Sequence, residues 1–529
     1  MAKHNTKAVS KFNTSANTEV ITNLAGGKGF AYPPELELAL RCTSNFMEDN
    51  YYASNSQIST KIKELVHQIG EKDPVYVMKL AGWLRNEMNM RSVSIYLLAL
   101  MAGHPAYKGK EKPWLISYGP YIMIRADEPA EALAAFNTAY PKEKVPQALY
   151  KAISERLNKL SAYEAIKYRG QSRNWSLKDV IRVVHPKPKT TGADYLFNWI
   201  VNDEATIDVA KEAGLTQLAS YLSINQAANL DEVDMSSLDG VTWELLLSKF
   251  GNKPEVWKIA SKVMPSMAYI RNLRNLIEKG DGLELDYDKI VNAGKGKRIL
   301  PFRFLTAKQV IDNLGRDMSL QVKDAKKALE EAIELSVANV PNLGNVAILI
   351  DHSGSMTDKV SSKSDMDCSD VAKIFAAAAF KRADNAVIIE YNDQSNVVSG
   401  IEKDDRLFSI VDKMQKPCGG TSLPVAVDKA MNYINEIDMI YILTDEQSWM
   451  KDRWGYGSDA IGNILGKKGS LKVVNHNLAS YGTSDLPQDK RILGIGGWSD
   501  QIFSVVDAWG KGNMVGTIQN WQPDIRDED

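Results

Sequence analysis

Val346-Ala347-Ile348-Leu349-Ile350, followed at once by Asp351-His352-Ser353-Gly354-Ser355, is the stretch on which the reading of this chain turns. Five consecutive apolar residues predict a strand buried on both faces, as in a parallel sheet. The DxSxS loop behind it falls where the carboxyl ends of strands in open α/β sheets gather their ligand groups. One carboxylate and two hydroxyls at alternating positions offer hard oxygen donors to a small divalent cation, magnesium by default, and Gly354 permits the turn that aims them together. Taken alone, DxSGS also reads as a capped strand-to-helix turn.

Downstream, helical and strand patterns alternate. An alanine-rich helix over Asp370–Arg382 precedes a strand Ala386–Glu390, and a helix Leu423–Asn435 precedes the strand Met439–Leu443. Strands Lys472–Asn477 and Arg491–Ile495 and a helix near Gln501–Trp509 complete a doubly wound, Rossmann-like α/β domain, taken as residues 341–529. Upstream, from about Tyr32 to Val340, apolar residues recur at three- and four-residue spacing with breaks at Pro, Gly and Asn, as in Pro33–Met47, Ser56–Gln68, Pro74–Glu87 and Ser92–Met101. Weakly self-similar helix pairs predict an all-α, HEAT-like helical repeat over 15–340, with an irregular bundle as the alternative. Asp317–Glu334 reads as one long amphipathic helix linking the two domains, and residues 1–14 as a flexible N-terminal tail.

A chain of 529 residues with 44% hydrophobic content fits a multidomain globular protein. No stretch approaches the roughly 20 uninterrupted apolar residues of a membrane helix, and Met1–Thr14 lacks the apolar core of a signal peptide. Three distant cysteines, Cys42, Cys368 and Cys418, exclude a disulfide framework and predict buried free thiols in a reducing compartment. The net charge of -2 hides a split: residues 1–340 hold 45 basic and 39 acidic side chains, residues 341–529 hold 19 and 27. Residues 151–200 carry ten basic against four acidic, a patch that attracts polyanions unless it is merely a solvated face.

Within that patch, Lys167-Tyr168-Arg169-Gly170-Gln171-Ser172-Arg173-Asn174-Trp175-Ser176 runs into a helix start, with Ser176 as N-cap and Asp179 at capping-box spacing. The helix stops at His185-Pro186-Lys187-Pro188-Lys189, so two basic loops bracket one helix. Arg and Lys there suit phosphates, while Tyr168, Trp175 or His185 suit unpaired bases. Solvated loops with Trp175 in the core are the alternative.

The DxSxS loop, Gly419-Gly420-Thr421 before a helix, and Asp445 at a strand end occur in the order of the metal-ion-dependent adhesion site, and here the chain resembles von Willebrand factor A domains. The resemblance implies Asp351, Ser353, Ser355, Thr421 and Asp445 as direct or water-mediated ligands, with one position left for a partner's acidic group. A phosphatase of the haloacid dehalogenase kind wants a second acid two positions after the first Asp, and Ser353 stands there. The helical half resembles the TROVE domain of the Ro 60 kDa autoantigen family in its bacterial-type form. The likeness runs through Lys167-Tyr168, Asn174-Trp175-Ser176, His185-Pro186-Lys187-Pro188, Arg271-Asn272-Leu273-Arg274-Asn275-Leu276 and Leu300-Pro301-Phe302-Arg303-Phe304-Leu305.

The family likeness implies a closed ring of helical repeats bridged by the A domain. Small noncoding Y RNA would lie on its outer surface, and single-stranded ends of misfolded RNA would enter its hole. Lys167, Arg173 and His185 match the Y RNA stretch, with Arg169 as substitute for Arg173 because the loop is slightly longer than in animal relatives, and Lys187 is a further RNA-binding candidate. Arg85, Arg91, Arg271, Arg274 and Arg303 are the candidates for the hole, each of which reads equally as a structural Arg bonding helix carbonyls. The expectation is a cytoplasmic, monomeric, non-catalytic scaffold with an exoribonuclease as partner. The alternative is a metal-dependent protein-interaction module.

Overall fold

The computed structural model describes residues 19–23, 25–44, 55–169, 175–233, 238, 240–296, 301–314, 320–359, 366–479, 483–487, 489, 491–497, 503, 506 and 514–523. Their contacts form two compact units. One gathers the described residues of Met1–Leu65, Gly294–Thr306 and Ile333–Asn520; the other gathers those of Val66–Ala293, Ala307–Ala332 and Trp521–Asp529. These units cut across the division at residue 340 drawn from composition.

In the second unit the segments expected at Pro74–Glu87 and Ser92–Met101 are helices close to those bounds, Pro74–Asn86 and Arg91–Ala102, and the helices Pro113–Ile122 and Gln147–Leu157 follow. Local chemistry sets their ends. Asp73 accepts the Tyr76 backbone N–H at 2.9 Å with Pro74 in the first turn. Ser161 with Glu164, and Ser176 with Asp179, form capping boxes at the starts of Ala162–Tyr168 and Leu177–Val184. The latter helix ends where His185 turns left-handed at φ 48° ahead of Pro186. Each helix packs mainly on the next or next-but-one in the chain, as in a stacked helical repeat. Leu80, Leu84, Leu97, Leu98, Leu115 and Ile153 are fully or almost fully buried between them, worth roughly 1.5–3 kcal/mol each on burial.

The first unit contains nine strands among the described residues. They are β1 (Val20–Thr22), β2 (Lys28–Ala31), β3 (Asn345–Asp351), β4 (Asn385–Tyr391), β5 (Ser395–Val397), β6 (Met439–Thr444), β7 (Lys472–Asn477), β8 (Thr483–Ser484) and β9 (Ile492–Gly496). Six make one sheet in the order β5-β4-β3-β6-β7-β9, parallel except for the antiparallel edge strand β5. Both faces are covered, which explains the unbroken apolar runs. Ala347, Leu349, Ile440 and Ile442 pack with Leu423, Val427, Ile461 and Ile464 on one face. Phe375, from the helix Cys368–Arg382, meets His476, which stacks with Tyr441. The linker segment is the helix Leu320–Ser336, while the helix expected near 501–509 lies largely outside the described residues.

Departures from expectation concentrate at the N-terminus. β1 and β2 form an antiparallel hairpin, and β2 pairs with β8 through Phe30–Ser484 and Ala31–Thr483. This three-stranded sheet draws Val20–Ala31, expected in the helical half, into the α/β unit. Cys42 and Cys368 are buried as expected, but Cys418 is exposed because it sits in the loop before Gly419. No helix among the described residues is long and apolar enough to cross a membrane.

Candidate metal centre and nucleic-acid interface

Adjacent strands β3 and β6 end side by side and deliver Asp351 and Asp445 from their carboxyl ends. Asp351 is fully buried; its Oδ1 accepts the Ser353 N–H at 2.8 Å and its Oδ2 accepts the Thr444 hydroxyl at 2.7 Å. The Ser353 and Ser355 hydroxyls lie 3.2 Å apart. Gly354 N–H donates to the Gly419 carbonyl at 3.1 Å, and Cys418 N–H to the His352 carbonyl at 2.7 Å, which brings the Gly419-Gly420-Thr421 loop onto the DxSxS loop. Glycine is required in that loop: Gly419 has φ +80°, and a Cβ on Gly420 would lie 2.6 Å from Asp393 Oδ1 and 2.8 Å from Trp449 Cζ2. Thr421 is buried, and its carbonyl accepts the N–H groups of Trp449 and Met450 at 3.2 Å.

The electrostatics of the pair follow from its burial. Asp445 Oδ1 accepts the Gln447 N–H at 3.2 Å, while Oδ2 is buried with no hydrogen-bond partner among the described residues. Burial, then the charge of Asp351, pushes Asp445 up to about 7 against a hydrogen bond from Ser355. Burial raises Asp351 too, opposed by its bonds from Ser353 and Thr444. Two buried carboxylates with an orphaned oxygen call for protons or a cation. Among the described residues no group of three or more His, Cys, Asp or Glu is placed to hold a metal. The donors here are two carboxylates and the hydroxyls of Ser353, Ser355 and Thr421, a hard oxygen set that fits magnesium and disfavours zinc. A cation bound there would neutralise the pair and offer a Lewis-acidic coordination position.

Behind these donors stands a support absent from the sequence reading. Asn23 Nδ2 donates to the Ser448 carbonyl at 2.8 Å, and Gly27 N–H donates to Asn23 Oδ1 at 2.7 Å. A Cβ on Gly27 would lie 2.3 Å from the Ser448 oxygen, so the hairpin turn fits flush against the loop after β6. Glu446, next to Asp445, is buried at φ 60°. It accepts the Tyr32 hydroxyl at 2.8 Å, Ser484 at 3.1 Å, and the amides of Asn475 and Asn477. Desolvation nonetheless pushes it up to about 8. The only local signal of its role was its place beside Asp445.

In the helical unit, Lys167 and Arg271, 104 positions apart, line one cavity of about 630 Å³ together with Tyr163, Thr242, Trp243 and Asn272. Lys167 Nζ sits 5.6 Å from the Tyr163 ring centre and 5.8 Å from that of Tyr168. Arg271 is exposed, and neither cation has an ion-pair partner among the described residues. Two residues expected on different RNA surfaces therefore share a pocket, and its aromatic lining was invisible to spacing. His185 and Lys187 are exposed, and the Lys187 carbonyl accepts Asn158 Nδ2 at 3.0 Å, which fixes the basic loop. Arg173 lies outside the described residues.

The remaining arginines separate into committed and open groups. Arg169 does not replace Arg173 as a free cation: it pairs with Asp203 and lies 4.5 Å over the Trp199 ring. Arg85 is also structural, its guanidinium 2.8 Å from Glu128, whose side chain is fully buried. Arg91 stands 3.3 Å from Glu131 and 3.8 Å from Asp127, so its charge is met by acids. Exposed Arg274 pairs with Glu278 one turn on, a bond weak enough in water to exchange for phosphate. Arg303 belongs to the helix Phe302–Asp312, and its side chain lies outside the described set.

Residues 235–340 match the TROVE domain family and residues 345–509 the Ro60 vWA domain family, together just over half of the chain. Telomerase protein component 1 of Mus musculus is 24% identical over 342 residues, and that of Rattus norvegicus 23% over 339; each alignment covers 52% of this chain and 13% of the relative. The chain thus spans only a small part of those curated relatives. The crystal structure of the Ro (RSR) protein of Deinococcus radiodurans superposes with a TM-score of 0.65 at 19% identity, covering 91% of this chain and all of that one, a likeness of fold. With both family domains present, in order, on a helical region followed by an α/β domain, the chain belongs to the Ro 60 kDa family.

Proposed function

We propose that the protein holds small noncoding Y-like RNA and single-stranded ends of misfolded RNA as a non-catalytic scaffold for RNA quality control. The observation that carries this reading is the cavity shared by Lys167 and Arg271, where two uncommitted cations stand beside Tyr163 and Trp243. Cations there neutralise phosphates and the aromatic faces take unpaired bases, the combination that single-stranded RNA requires. Exposed His185 and Lys187 extend the basic surface beyond the helix Leu177–Val184. In this reading the protein acts as a cytoplasmic monomer and hands bound RNA to an exoribonuclease, with magnesium held by Asp351, Ser353, Ser355, Thr421 and Asp445. The test is a gel-shift titration of the full chain with a stem-loop RNA carrying a single-stranded 3′ tail, against the same stem-loop without the tail. Tail-dependent binding is expected; equal or absent binding to both overturns the reading.

A second reading, a metal-dependent protein-interaction module, draws on Trp449. Its backbone N–H is bonded to Thr421 and its side chain is 45% exposed, an apolar face beside the five donors. Magnesium-dependent capture of a protein carrying an exposed carboxylate, lost in Trp449→Ala, would favour it.

A further inference from the structure

A second cavity in the helical unit, about 1000 Å³ in volume, is rimmed by lysine. Lys108, Lys110, Lys142, Lys144 and Lys151 are exposed on its lining and Lys112 is buried, against two acids, Glu111 and Glu143, a balance of +4. Glu143 is already engaged by Lys108 at 2.7 Å. The apolar part of the wall comes from Ile116, Phe136, Val145 and Pro146.

Lys112 decides what such a cavity wants. It is only 7% exposed, and its Nζ donates to the Tyr107 carbonyl at 2.8 Å, yet it has no carboxylate partner among the described residues. An ammonium carries three donors, so two remain for something else. A buried cation without a counter-charge is costly, and the fold would shed that cost by admitting an anion. Burial also pulls the Lys112 pKa down, the same penalty seen from the proton's side. Lysine rather than arginine around the rim suits a compact, multiply charged oxyanion met from several directions, with no planar partner to read. A terminal phosphate, at about -1.5 to -2 charge, fits better than a backbone diester.

We propose that this cavity binds a terminal phosphate group, that of an RNA strand end or of a free nucleotide, with Lys112 at its floor and Lys142, Lys144 and Lys151 around it. As regards RNA ends the inference rests on the RNA-binding reading above; as regards an anion site it does not.

The test uses the full chain, Lys112→Met, and Lys142→Ala/Lys144→Ala, the last pair exposed and safe for folding. Inorganic tripolyphosphate is titrated calorimetrically, followed by ATP, and then by a 3′-labelled single-stranded oligoribonucleotide with either a 5′-triphosphate or a 5′-hydroxyl. Tripolyphosphate should bind the parent protein and weaken about tenfold or more in both variants, the scale of a lost charge-assisted hydrogen bond. A preference for 5′-triphosphate over 5′-hydroxyl RNA that disappears in both variants assigns the RNA end as source; ATP binding without that preference assigns the free nucleotide. Tripolyphosphate that fails to bind, or binds parent and double variant equally, overturns the site, whether or not RNA binds elsewhere.

Discussion

Replacing Lys167 and Arg271 together by alanine separates phosphate contact from architecture. Both side chains line one cavity and neither has an ion-pair partner among the described residues, so their removal orphans no acid and leaves the helices packed. Each phosphate released on a single strand lowers the slope of log affinity against log salt by about 0.7, so two cations account for about 1.4. Between about 50 and 200 mM salt the parent protein should therefore lose roughly sevenfold more affinity than the double variant, their curves converging as salt rises. Fluorescence anisotropy with a labelled stem-loop RNA bearing a 3′ tail, repeated at five salt concentrations, measures both slopes. Parallel lines with a shifted intercept would mean that the pair supports the pocket without touching phosphate, and coincident lines would move the interface elsewhere.

Arg85→Met should behave oppositely: leaving Glu128 buried and unpaired costs about 3–5 kcal/mol in urea unfolding, with no change in the salt slope of the protein that remains folded. Magnesium chloride should raise the melting temperature, by an amount equivalent to about 2.7 kcal/mol at a hundred times the dissociation constant, and Asp445→Ala should abolish that rise. His476 supplies an acid-sensitive contribution. Its Nδ1 lies 2.8 Å from the Tyr441 hydroxyl and its Nε2 2.8 Å from the Gly497 carbonyl, and burial lowers its pKa to about 4. The unfolded chain takes up its proton near 6.5, so stability is fully retained above that pH. It falls by on the order of 3 kcal/mol as pH drops to about 4, and His476→Gln should flatten that segment of a denaturation series.

The legible parts of this molecule were those written in consecutive residues. Val346–Ile350 and Met439–Leu443 declared strands because both faces are buried, and Ser176 with Asp179 declared a helix start because the capping bonds span three residues. The five candidate donors could be picked out because two of their three groups end apolar strands and the third opens a helix. Pairings across long separations could not be found. β8 is two residues long and carries no periodicity, so nothing in Thr483-Ser484 announces that it will pair with Phe30 and Ala31. Lys167 and Arg271 read as members of two different patches until the helices between them folded, and Arg85 could not be told from an RNA contact because its acid, Glu128, lies 43 positions on.

The hairpin Val20–Ala31 sets an order of events for synthesis. A ribosome makes these residues long before their partner Thr483-Ser484, which follows 454 positions later for the pair Phe30–Ser484. Through that interval the edge of β2 has no partner of its own, and the loop that carries Asp445 is built before the hairpin that braces it can seat. Folding from the amino end as the chain emerges completes neither unit early: the helical unit takes in Trp521, whose Nε1 donates to Glu87 at 3.3 Å, and the α/β unit must close the very long loop between β2 and β8. A separately expressed fragment beginning near residue 341 would carry the candidate donors without that brace, and should gain order when a peptide spanning residues 19–33 is added in trans.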